Sequence, residues 1–247
     1  MQERTRTGGG MLCAFVITLA CGALLGVRTA SAQDGAATAT PDHATAIKET
    51  FKRDQATLHS YEWIETTTMS LKGEVKSTTE KRCYWGADGK LQKVETGEPA
   101  PAEKEKRGLR GKIVADKKAE ISDYMKKAAA AIKTYVPPDP AKLQAAKAAG
   151  NSSVEILDPG KRVRVDYKNY NIKGDVLGVE LDLVTNRILA MHVTTMVEGG
   201  KDPVTFDVTY AALDDGTGYP AQTMLDAKEM SVTVAVANSG YKKQAKA

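Results

Sequence analysis

From Val154 onward the chain alternates apolar and polar residues in short runs, each ended by turn residues, and no helical stretch interrupts them. Val154-Glu155-Ile156-Leu157, the turn Asp158-Pro159-Gly160 and Arg162 to Tyr167 make one hairpin. Val179, Leu181 and Leu183 alternate with Glu180 and Asp182, and Thr185-Asn186 turns the chain into Ile188 to Val197. Val204, Phe206, Val208 and Tyr210 alternate with Thr205, Asp207 and Thr209 before Asp214-Asp215-Gly216, and Ala221 to Lys228 and Ser231 to Ala237 complete the series. A period of two sends successive side chains to opposite faces of a sheet. Hairpin spacing without crossover helices makes that sheet antiparallel and excludes a βαβ fold.

The same period occurs earlier. Tyr61 to Met69 is rich in β-branched and aromatic residues, Lys72-Gly73 turns, Val75 to Trp85 returns, and Ala87-Asp88-Gly89-Lys90 carries an Asp-Gly hairpin signal ahead of Leu91 to Glu95. Before this meander, Asp42 as an N-cap and Ile47, Phe51 and Leu58 at helical spacing predict a helix over Ala44 to His59. Gly97 to Lys112, rich in Pro, Gly and charge, reads as a loop. Ile121, Tyr124, Met125, Ala128 and Ile132 predict a second helix over Asp116 to Tyr135, ended by Pro137-Pro138-Asp139-Pro140; a short third one, Ala141 to Ala149, stops at Gly150. The fold class is therefore α+β and mainly antiparallel β: a curved sheet or half-barrel of about nine to eleven strands with an N-terminal helix and a helical lid inserted in mid-chain. The lid occupies about 113–149 of a single domain over 42–243, followed by a short tail at 244–247.

The first segment reads differently. Arg4 and Arg6 precede an uncharged, largely apolar run from Met11 to Val27, which closes with Thr29-Ala30-Ser31-Ala32-Gln33. A positive start, an apolar centre and a small-x-small site are the parts of a secretory signal peptide over 1–32, with cleavage near Ala32 and a linker at 33–41. This predicts a periplasmic or secreted protein; lipidation at Cys21 or an uncleaved leader would instead anchor it to a membrane. Composition agrees with one globular domain: of 247 residues 42% are hydrophobic and 27% charged, which excludes a disordered tail or a multi-pass membrane chain. Arg4, Arg6 and Arg28 leave with the leader against Glu3, so the formal charge of +4 falls to about +2. That is too little for a nucleic-acid partner, which calls for a basic stripe. Cys13 and Cys21 also leave, so Cys83 has no partner for an internal disulfide and reads as a small buried apolar residue.

A signal peptide, an amphipathic helix leading into Tyr61-Glu62-Trp63, a strand meander, mid-chain helices and closing hairpins around Val204 to Tyr210 together resemble the periplasmic lipoprotein-carrier superfamily, the LolA-like and LolB-like proteins and related sigma-factor regulators. Asp182-Leu183-Val184-Thr185-Asn186-Arg187-Ile188 is similar to a hairpin turn common among them, and the resemblance covers nearly all of the mature chain by architecture. It implies a half-barrel whose concave apolar face, lidded by helices, accommodates acyl chains, with a lipid or a lipoprotein as partner.

Acyl chains need a dry concavity, in which each buried methylene contributes about 0.8 kcal/mol. Alternation selects Trp63, Val163, Val165, Leu181, Leu189, Met191, Val193, Phe206 and Val208 as its wall, and Ile121, Met125 and Ile132 as its lid. Periodicity alone leaves a second reading open, in which the same helices fill that face as an ordinary core. The Gly97 to Lys112 segment carries Lys104, Lys106, Arg107, Arg110 and Lys112, which suit docking to an anionic membrane or an envelope membrane protein, and suit a solvated loop equally well. Enzyme signatures are missing from the sequence. The three histidines, His43, His59 and His192, form no zinc pair, and there is no nucleophile elbow or phosphate-binding glycine loop. The reading is thus a non-enzymatic binding protein without metal or cofactor. The alternatives are a protein-interaction module with a filled core and an exposed apolar patch, and an enzyme built from convergent strand carboxylates such as Asp166, Glu180, Asp182 and Asp207.

Overall fold

The computed structural model describes residues 43–96 and 109–244. The expected leader and linker, Asp42, residues 97–108 with Lys104, Lys106 and Arg107, and residues 245–247 lie outside the described residues. Helix α1 (His43–Leu58) leads into the meander β1 (Tyr61–Leu71), β2 (Glu74–Trp85) and β3 (Leu91–Glu95). Helices α2 (Leu109–Ile132) and α3 (Pro140–Ala148) follow. A second meander then runs β4 (Ser152–Asp158), β5 (Arg162–Lys168), β6 (Val176–Asp182), β7 (Arg187–Met196), β8 (Pro203–Ala212), β9 (Gly218–Ala227) and β10 (Val232–Lys243). The expected α+β class and curved, mainly antiparallel sheet are what is observed.

Among the described residues all ten strands lie in one sheet, ordered β3-β2-β1-β10-β9-β8-β7-β6-β5-β4. Each meander is local, and the β1–β10 pair is the seam that joins them. The hairpins form where the sequence permits them: Lys72 and Gly73 both take positive φ, 55° and 79°, as the tight turn between β1 and β2 requires. Because β3 and β4 are opposite edges, the chain between them has to cross the whole sheet. Nine strand spacings of ~4.8 Å make roughly 43 Å, and 24 residues of α2 make a rod of about 36 Å. Only its second half, from Ile121 to Ile132, packs on the concave face; residues 115–120 are exposed.

α2 begins at Leu109, earlier than the sequence pattern indicates, so Arg110 and Lys112 belong to a helix rather than to the loop expected over 97–112. Gly111 within it costs about 1 kcal/mol relative to alanine, a penalty one interior glycine does not convert into a break. The start of α3 follows simpler rules: the Asp139 side chain accepts the Ala141 N–H at 2.9 Å, with Pro140 in the first turn.

Register explains the core. The cross-strand partners Tyr167, Leu177, Val193, Phe206, Leu225, Val234 and Met69 form one apolar row across seven strands. Val165, Val179, Met191, Val208, Thr223 and Val236 form the next. Tyr124, Met125, Ala128 and Ile132 of α2 pack onto these rows. Among the described residues no helix is long and apolar enough to cross a membrane.

Candidate functional site

The concave face is filled over part of its breadth and open over the rest. Under the middle of α2, Met125, Met191, Val193 and Leu177 are fully buried and close-packed, with Ile121 and Leu181 against them. Toward β1, β9 and β10 the packing gives way to a cavity of about 160 Å³. The reason is visible in α2 itself. Its last turns read Ala128-Ala129-Ala130-Ala131, and Ala129 faces this space with a methyl group where a larger side chain would fill it. Leu58 of α1 and Ile132 roof the cavity; Trp63, Phe206, Val208, Leu225 and Val234 floor it.

One end of the cavity is aromatic and polar. A register shift between Glu62 and Ile64 and the positive φ of Gly240, 63°, mark a bulge in the β1–β10 seam, where Tyr241 joins the cavity wall. Tyr241 stacks on Trp63, with centroids 5.5 Å apart and planes at 12°, and meets Tyr219 at 4.4 Å. Burial, with the neighbouring Tyr219, Cys83 and Glu65, pushes its phenol well above the ordinary tyrosine range. The Trp63 indole N–H donates to Asn238 Oδ1 at 3.1 Å, and Asn238 Nδ2 donates to the Pro220 carbonyl at 2.9 Å. Lys93 and Glu65 face each other at 2.6 Å, both side chains largely withdrawn from water. Trp85, also in the wall, stacks against His59 at 3.9 Å, and its indole N–H is buried with no acceptor.

A second recess of about 390 Å³ lies under α1, between Ile47 and Phe51 above and Leu189, Ile188 and Ala212 below. Tyr210 and Gln55 line both spaces and so form their common wall. Burial pushes the Tyr210 phenol up to about 12, and its hydroxyl reaches Met191 Sδ at 3.6 Å. Asp54, in the middle of the apolar stripe of α1 and 7% exposed, pairs with Arg187 at 2.7 Å. The guanidinium also donates to the Gly216 carbonyl.

The residues expected to form the groove separate accordingly. Trp63, Ile132, Phe206 and Val208 line the first cavity, and Leu189 lines the second recess. Ile121, Met125, Leu181, Met191 and Val193 belong to the packed core. Val163 and Val165 are half-buried on β5, beside Ile156 and Val154 of the edge strand, which are 67% and 66% exposed. Periodicity missed Trp85, Tyr241 and Ala129. The signal for the first two was aromatic residues gathered at strand ends next to a bulge, which no alternation rule ranks.

The opposite face is polar. His192 Nδ1 lies 2.7 Å from Asp207 and Nε2 3.2 Å from Glu180, both on neighbouring strands, and Arg164 donates to Asp166 at 2.8 Å. Asp207, Glu180 and Asp166 thus meet a histidine or an arginine on the side away from the cavity. Among the described residues no cluster of histidine, cysteine and carboxylate could hold a metal ion.

A helix-lidded, open antiparallel sheet with a recess on its concave face is the class of fold the chain presents. No protein-family model matches it, and no curated protein does. Among solved structures the chain is similar to a LolA superfamily protein from Nitrosomonas europaea, with 7% identity over 83% of this chain and 94% of that one and a TM-score of 0.37. It is also similar to a DUF1329 family protein from Desulfovibrio piger, with 10% identity, the same coverage of both chains and a TM-score of 0.36. A third match is the MucA/MucB complex of Pseudomonas aeruginosa, at 9% identity over 83% of this chain and 100% of that chain, with a TM-score of 0.22.

Proposed function

We propose that this chain is an exported, non-enzymatic binding protein of the bacterial periplasm that takes an acyl chain of a lipid or lipoprotein into the recess between its concave face and helices α1 and α2. The leader pattern supports export. The cavity supports the ligand class: an apolar cavity of about 150 Å³ is known to stay dry and to accept a small hydrocarbon, and this one measures about 160 Å³ with mostly aliphatic and aromatic walls. A carbon group takes up about the volume of a water molecule, ~30 Å³, so the space holds about five. At ~0.8 kcal/mol each that is roughly 4 kcal/mol, a millimolar affinity. A longer chain would have to continue into the recess under α1.

Native mass spectrometry of the protein isolated from its own envelope, beside the variant Ala129→Phe, tests this. The wild type should carry an acyl lipid, and the variant, whose added ring occupies the cavity, should carry none while melting normally. A bare wild-type chain that takes up no lipid from vesicles overturns the proposal. The exposed Val154, Ile156 and Leu157 on edge strand β4 favour a second reading, a module that recruits a protein partner through that edge.

A further inference from the structure

The two edges of the sheet are guarded unequally. β3 is short, five residues, and carries Lys93 and Glu95; shortness and charge are the devices that keep an edge from pairing. β4 runs seven residues and contains no lysine, arginine or proline. Its residues 153–157 are exposed, Val154 and Ile156 among them.

Ladder geometry decides which backbone groups that edge offers. The Lys168 N–H donates to the Asn151 carbonyl at 2.8 Å, so Asn151 turns its backbone toward β5. The direction alternates along a strand. Ser153 and Glu155 therefore face β5 as well, and Ser152, Val154 and Ile156 turn their N–H and C=O groups outward. The side chains of Val154 and Ile156 stand opposite Val165 and Val163 on the concave face. They extend by one strand the apolar rows that continue through Val179 and Leu181.

A second copy of the same strand completes this edge. Antiparallel pairing about a two-fold axis at Val154 sets that residue against its own copy and Ile156 against the partner's Ser152. All of these carry outward backbone groups, so each pair can exchange both of its N–H···O=C bonds. On the other face Glu155 meets the partner's Ser153, a hydroxyl donor, and has Arg164 opposite it in its own sheet. An axis at Glu155 would instead set two carboxylates face to face, which is destabilising, and an axis at Ile156 would set Val154 against an aspartate. The bulge between Ile156 and Asp158 bends the strand away just beyond the paired stretch.

We infer that β4 is a self-association edge, on which two copies pair antiparallel about Val154 and join their sheets into one. The inference rests on the edge-recruitment reading above and names its partner as a second copy; acyl-chain binding does not depend on it. So short a strand makes an interface of the small, reversible kind.

Sedimentation velocity from about 1 µM to about 1 mM, a span that covers weak association, should show monomer passing to dimer. Amide exchange at both ends of that range should slow at Val154 and Ile156 as dimer forms, and stay unchanged at Glu155, which already bonds to β5. Val154→Lys puts two ammonium groups at the axis and should weaken the dimer about tenfold or more with unchanged melting. Glu155→Gln should not tighten it. A chain that stays monomeric with freely exchanging Val154 and Ile156 amides overturns the inference and leaves the edge to a different partner. Protection of these amides at every concentration in a monomer means that the chain covers its own edge, and both readings fall. A dimer that Val154→Lys leaves intact, or that Glu155→Gln strengthens, overturns the pairing about Val154.

Discussion

The Tyr135 hydroxyl donates to the Asp175 carboxylate at 2.5 Å, and both residues are 2% exposed. The same carboxylate accepts the backbone N–H groups of Tyr170, Asn171 and Ile172, at 2.6 to 2.9 Å. One buried side chain therefore closes the connection between β5 and β6 and fixes the end of α2 over it. Removing it strands several donors at once, at about 1–3 kcal/mol for a buried group left unsatisfied. Asp175→Ala should lower unfolding free energy by about 3 kcal/mol or more, and Tyr135→Phe by about 1 kcal/mol, read from urea midpoints at unchanged slope.

The Tyr61 hydroxyl donates to Asp215 Oδ2 at 2.6 Å and links the start of β1 to the β8–β9 turn. That bond, followed by those from Thr217, holds the Asp215 carboxyl down at about 2, below its ordinary 3.8. A depressed carboxyl contributes stability above its unfolded value that is lost as pH falls through its folded one, so acid destabilisation from this pair should fall between about pH 4 and 2. Tyr61→Phe should flatten the stability profile in that window. At the alkaline end the sign reverses: Tyr61, through its bond to Asp215, and Tyr135 and Tyr210, chiefly through burial, are raised to about 12. Their contribution is intact below about pH 10 and disappears as pH rises through about 12. Absorbance at 295 nm should show these phenols ionising together with unfolding.

Cys83 is fully buried, and burial, with Glu65 as a further cause, pushes its thiol up to about 11. The thiolate is the reactive form. Labelling by a neutral alkylating reagent at pH 8 should therefore be negligible in the folded protein and should follow unfolding, which makes this thiol a reporter of opening at the β1–β2–β3 end. Rapid labelling under native conditions would contradict this placement.

Much of the fold could be read from the sequence because period two, Asp-Gly turns and a helical stripe are local signals. Each of the strands from Val154 onward except the last begins and ends within a few residues of its pattern, while β10 runs six residues past Ala237 to Lys243; Tyr124, Met125, Ala128 and Ile132 face the sheet as their spacing requires. The cavity was harder to read because it depends on what does not fill a space. Alternation placed Met191 and Phe206 on the same face without separating packed core from cavity wall, since that difference lies in Ala129 above one of them. Asp54 was hidden for a related reason. It occupies an apolar seat of α1, and its partner Arg187 is 133 residues away in sequence, at a distance no spacing rule addresses.

That partnership depends on a glycine. A Cβ at Gly218 would lie 2.6 Å from Asp54 Oδ2 and 2.7 Å from Arg187 Nη1, closer than either atom can tolerate. Gly218→Ala should therefore separate the pair and cost about 1–3 kcal/mol, as overpacking does. Arg187→Met should cost more, about 3–5 kcal/mol, because it leaves a buried carboxylate without its cation. In the double variant Asp54→Leu/Arg187→Met most of that loss should return, since an apolar pair of similar volume avoids the unpaired charge. A double-mutant cycle in chemical denaturation measures the difference.

In the proposed function Tyr210 is the residue that limits the length of acyl chain in the first cavity. Its ring stands in the wall shared by the cavity and the recess under α1, close to Phe51 at 6.3 Å in an edge-on arrangement. With the ring in place, affinity for a series of methyl esters should stop rising once about five carbon groups are buried, the number the first cavity accommodates. Without it the two spaces join, and each further methylene should add about 0.8 kcal/mol, close to fourfold in affinity. Tyr210→Ala creates a void that should cost about 3–5 kcal/mol of stability, so Tyr210→Leu, a smaller loss of volume, serves as the milder variant. Competition binding over methyl butanoate to methyl decanoate should show an early plateau for the wild type and a later one for both variants, latest for alanine. Equal plateaus in all three would mean that the chain does not pass Tyr210, and the recess under α1 would then belong to the Asp54–Arg187 pair alone.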